Sequence, residues 1–107
     1  MSITDLAAIG LKAIDLFVAT NERRETDHAF DEACKAWKFK NGISHGEEFI
    51  AKGSKEWKAM MRSANKPYQG RALAKRKERN AKDRLFRACR KANAEVVLAQ
   101  ISKGRRQ

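Results

Sequence analysis

The chain has 107 residues, 42% of them hydrophobic and 35% charged, with one proline, six glycines and a net charge of +11. That balance argues against a disordered polyelectrolyte, and so little turn chemistry argues against a many-stranded sheet. Ala, Lys, Arg and Glu favour helix, so the expected class is all-α: a small helical bundle in one domain over 1–107.

The first segment, "SITDLAAIGLKAIDLFVAT", starts with Ser2 and Asp5 at capping-box-like spacing. At 100° per residue its apolar side chains cover nearly the whole circumference, leaving a narrow polar stripe of Asp5, Lys12 and Asp15. A helix this apolar is either central to a bundle or buries a second face in a partner. With few other apolar segments to cover it, some intermolecular burial is expected, through a homo-oligomer. Without a basic lead-in, and with Asp5, Lys12 and Asp15 interrupting the run, the segment reads as neither a signal peptide nor a membrane span.

"NERRETD" follows, polar throughout, with Thr26 or Asp27 available as an N-cap. Phe30, Ala33, Cys34 and Trp37 then fall at i, i+3, i+4 and i+7, one face of a helix that Asn41-Gly42 stops near Phe39 or Lys40. Two helices or one bent helix both fit residues 1–40. Residues 43–53 read as a short helix or irregular connector. Ser54 caps a further helix whose face is Trp57, Met60, Met61 and Ala64. "NKPYQG", 65–70, breaks the pattern. The domain therefore divides into mixed-charge helices packing the core over 1–64, a long basic helix over 70–103 and a frayed tail over 104–107.

Charge is uneven. Residues 1–52 hold seven Lys/Arg against nine Asp/Glu, net −2, whereas 53–107 hold seventeen against four, net +13. "RALAKRKERNAKDRLFRACRKA", 71–92, has ten bases and two acids. On a wheel, Ala74, Ala81, Leu85, Ala88, Cys89, Ala92, Val96 and Ala99 form a seam of mostly small residues that lets a neighbouring helix approach closely. Arg76, Arg79, Arg84, Arg87, Arg90 and Lys91 lie opposite, with Lys75, Lys77 and Lys82 flanking. Acids one turn away (Glu78 for Lys82, Asp83 for Arg87) offset some of this charge. Two acids do not neutralise ten bases, so an anionic partner is favoured over a merely solvated face.

Arginine's planar fork matches phosphate or carboxylate, so Lys75, Arg76, Arg79, Arg84, Arg87, Arg90 and Lys91 are the candidate contacts to DNA, RNA or an acidic protein. No base-reading motif accompanies them, so nucleic-acid binding would be driven by the phosphate backbone. Phe39 and Tyr68 are candidate exposed aromatic contacts, while Trp37 and Trp57 read as core. Ile9, Leu16, Phe39 and Tyr68 are the candidate apolar anchors for a protein partner. No catalytic constellation, phosphate loop or metal spacing is present: His28 with Cys34, or His45 with Glu48, is too sparse. A non-enzymatic protein with no cofactor is expected. Cys34 and Cys89 are expected to be reduced, in a cytoplasm.

Residues 52–92 combine an EW-x-x-MM helix, a short break and a helix of the type "AKRKERNAKDRL". In that style the stretch resembles the small basic helical accessory proteins of tailed phages, among them the modulators of host recombination of the anti-RecBCD type. The resemblance implies a small adaptor in a bacterial cytoplasm, acting on nucleic acid or docking on a host DNA-processing complex. A virion structural or assembly protein is a further alternative.

Overall fold

A computed structural model describes residues 2–43 and 50–105, and among them every regular element is an α-helix. There are three: α1 (Ile3–Lys40), α2 (Lys55–Ser63) and α3 (Asn65–Arg105). Two compact units share them. The first joins residues 1–20 to 77–107, and the second comprises 21–76.

The Asp5 N–H donates to Ser2 Oγ at 3.1 Å, capping the start of α1. The helix then runs through "NERRETD" without interruption, so Thr26 and Asp27 are not caps. The stretch contains no glycine or proline, and three of its polar side chains make contacts within the helix. Thr26 Oγ1 donates to the Arg23 carbonyl at 2.9 Å, and Arg23 pairs with Asp27 one turn on at 3.1 Å. Asn41-Gly42 ends α1 as the spacing predicts. The Gly42 N–H donates to the Phe39 carbonyl and the Ile43 N–H to the Lys38 carbonyl, a Schellman closure that requires the positive φ of 72° at Gly42.

Ser54 caps α2, its Oγ accepting from the Trp57 N–H at 3.1 Å. The break after α2 is a single residue, Ala64, and α3 starts at Asn65 rather than after the proline. Pro67 falls in the first turn of α3, where its missing N–H leaves no intrahelical bond unmade. The connector over 43–53 is only partly visible, since 44–49 lie outside the described residues, as do 106–107 of the tail.

Burial in the first unit follows alternating steps of four and three. Along α1 the less exposed positions include Asp5, Ile9, Lys12, Leu16 and Ala19, with Ala8 and Thr20 beside them; along α3 they are Glu78, Ala81, Leu85, Ala88 and Ala92, and a further step of four reaches Val96. A 3.5-residue repeat keeps one face turned toward a neighbouring helix. Ala81 and Ala92 are 2% and 3% exposed, so the α3 seam is built of small side chains. Cys89 and Ala99, expected in this seam, are exposed instead: the repeat through 85, 88 and 92 passes Cys89 by, whereas Ala99 keeps the register, one heptad after Ala92, but lies beyond Val96, the last covered position of α3 among the described residues.

The second unit buries Met60, Ala64 and Ala74, with Trp37, Trp57 and Met61 partly covered. Phe30 and Tyr68 meet with ring centroids 5.6 Å apart, and Arg71 lies over the Phe30 ring at 5.1 Å. Both cysteines are free thiols, Cys34 half-buried and Cys89 exposed. Burial pushes the Cys34 thiol above its ordinary value, and the Asp31 charge pushes the same way.

Candidate nucleic-acid interface

The seven basic residues singled out in the sequence are all exposed, but only three of them converge. Arg84, Arg87 and Lys91, at i, i+3 and i+7 on α3, line a groove of about 520 Å³ in the first unit. Ala88 and Ala92 line it too, with Ala8 and Ile9 of α1. Lys12, from α1, adds a fourth cation, and Asp5 and Glu95 also line the groove. Arg87 Nε donates to the main-chain oxygen of Asp83 at 3.4 Å, a long contact that leaves most of its guanidinium fork for other partners.

The groove exists because the α3 seam is alanine. Small side chains at 88 and 92 leave a trough, and the long stems of Arg84, Arg87 and Lys91 stand along its edge. Lys12 reaches it from a half-buried position on α1. Sequence reasoning missed Lys12, which stands alone in an apolar stretch and carries no local charge pattern. The available signal was its place in the 3.5-residue repeat, between Ile9 and Leu16.

Arg79 and Arg90, in the same unit, are exposed without lining the groove, and Lys75 and Arg76 belong to the second unit. Arg71, part of the same basic run, is taken up by Asp27 and the Phe30 ring. Phe39 and Tyr68 are exposed, at 72% and 44%. Ile9 and Leu16 are half-buried in the seam face, so they are not the open apolar anchors expected of them. Phe86 was not singled out, yet it is half exposed on α3 with Lys82 over its ring at 5.8 Å.

A second hollow, of about 750 Å³, lies in the second unit. Lys55, Lys58 and Arg62 line it with Trp57, Met61 and Asn65. No group of three or more His, Cys, Asp or Glu among the described residues is placed to hold a metal ion. No helix among them is long and apolar enough to cross a membrane.

No family model, curated protein or solved structure matches this chain.

Proposed function

We propose that this is a non-enzymatic accessory protein that binds nucleic acid by its phosphate backbone, through the groove of Lys12, Arg84, Arg87 and Lys91. The convergence of these four cations, from two helices, on one trough carries the reading. Three α3 side chains at i, i+3 and i+7 can follow a line of phosphates, two of them with arginine's bidentate fork. Asp5 and Glu95 offset part of the charge, which favours modest affinity, with a salt slope of about 0.9 for each phosphate neutralised. The absence of a base-reading motif fits binding that is weakly selective for sequence. A cytoplasmic setting, that of a bacterial host for a phage-encoded protein, goes with this function.

The test is fluorescence anisotropy with labelled single- and double-stranded DNA and RNA, between about 50 and 200 mM salt. Binding should weaken log-linearly with salt. Arg84→Glu with Arg87→Glu and Lys91→Glu should abolish it, while Lys55→Glu with Lys58→Glu and Arg62→Glu should leave most of it. Loss only in the second triple variant would move the site to the Trp57 hollow.

The second reading is a modulator docked on an acidic surface of a host DNA-processing complex. Phe86 favours it, as a half-exposed aromatic among the cations of α3. No binding to any oligonucleotide at low salt would transfer the groove to that role.

A further inference from the structure

The face of α1 turned away from its seam is apolar and open. Ile3, Leu6, Leu11, Ile14, Phe17 and Val18 are each between 51% and 86% exposed. Such a set amounts to on the order of 700 Å², taking about 150–250 Å² for each large side chain in full, against about 800 Å² per partner in a standard interface. It exceeds the largest apolar patch of a typical monomer, about 300–600 Å².

Four of the six large residues of the stripe are also placed symmetrically about one residue. Counting outward from Gly10, small side chains stand three residues away on both sides (Ala7 and Ala13). Large apolar ones stand four away (Leu6 and Ile14) and seven away (Ile3 and Phe17). A Cβ on Gly10 would meet nothing within 4 Å, so no contact within the chain explains a glycine in this helix interior. We propose that the occupant of this face is a second copy of the same chain, with two α1 helices crossing antiparallel on a two-fold axis at Gly10. Each Ile3 then meets Phe17 of the other copy, each Leu6 meets Ile14, and the two glycines let the backbones approach closely.

Self-complementarity about a single position is what an isologous interface demands, and an unrelated partner would not need it. Charge agrees: Asp5, Lys12 and Asp15 are the only ionisable side chains in residues 2–21, and none of them falls within the stripe. A membrane surface fits less well, because helices that lie on lipid carry Lys and Arg along the polar side.

The test is sedimentation equilibrium of the full chain at micromolar concentration, with and without Ile14→Glu. The wild-type chain should be a dimer, and the variant should weaken dimerisation at least ~30-fold while its helical circular dichroism is unchanged. Ile14 is 59% exposed, so the substitution leaves the fold of the single chain intact. A wild-type monomer throughout, or a dimer that Ile14→Glu does not weaken, overturns the proposal. Register is read in a Cys34→Ser, Cys89→Ser background by mixing Leu6→Cys and Ile14→Cys chains under mild oxidation. The mixed disulfide should dominate, and preferential self-crosslinking of either chain rules out the antiparallel crossing.

Discussion

Arg71 Nε donates to Asp27 Oδ1 at 2.8 Å, joining residues 44 apart in the chain within the second unit. Arg23, one turn before Asp27 on α1, holds the other carboxylate oxygen at 3.1 Å. Two guanidinium groups thus hold one carboxylate, and one of them also covers the Phe30 ring. This long-range ion pair takes its cation from the basic run and uses it to hold the fold.

The Arg23 hydrogen bond does most to lower the Asp27 pKa from its ordinary value; burial, the next largest effect, opposes it, and the Arg71 hydrogen bond and the charges of both arginines bring the net shift down. A carboxylate with a depressed folded-state pKa contributes stability that is present above about pH 4 and lost as pH falls through the lowered value. Asp27→Asn should therefore cost about 1 kcal/mol at pH 7, the range for a partly exposed, charge-assisted pair. Urea midpoints of the two proteins should draw together below about pH 4. A gap that stays constant with pH would mean that packing, not charge, is what Asp27 supplies.

The seam register predicts a contrast between neighbours on α3. Ala81 is buried in the seam, so Ala81→Leu should destabilise by about 1–3 kcal/mol through overpacking. Cys89 is exposed, and Cys89→Leu should stay within about 0.5 kcal/mol of the parent. Thermal unfolding of both variants checks this. Equal losses would return Cys89 to the seam.

The local punctuation was legible because its chemistry is local. Ser54→Ala should remove about 1 kcal/mol, since its Oγ is the cap of a nine-residue helix. Gly42→Ala should cost about 1–2 kcal/mol, since its positive φ crowds a Cβ. Chemical denaturation measures both, and a neutral Gly42→Ala would show that α1 can end another way. What local patterns did not carry was orientation. The seam positions of α1 include Asp5 and Lys12, so a count of apolar residues points to the opposite face, the one that is exposed. Continuity of α1 was hidden for the same reason, because a polar run looks like a loop when its partners are one helical turn away. Pro67 looked like a break because a proline in the first turn and a proline in a loop read alike in sequence.

The two thiols should separate in reactivity. Cys34 is half-buried and its pKa is raised by burial, so little of it is thiolate near neutral pH, whereas Cys89 is open to solvent. A disulfide reagent at pH 8 should modify Cys89 first, with Cys34 slower by on the order of 10-fold. Single Cys→Ser variants assign the two phases. Equal rates would mean that α1 opens around Cys34 faster than the reagent reacts.

Lys12 gives the sharpest check on the groove, because only its place in the fold connects it to Arg84, Arg87 and Lys91. If one phosphate rests against it on duplex DNA, Lys12→Ala should reduce the slope of log affinity against log salt by about 0.9. Lys55→Ala, which removes a cation from the hollow in the second unit, should leave that slope unchanged. Both variants have the same net charge, so a general field effect would lower the two slopes together. A difference confined to Lys12 requires that α1 and α3 present their cations to the same stretch of backbone. Equal slopes for both variants and the parent would leave the groove without Lys12, and the contact would then rest on the face of α3 alone.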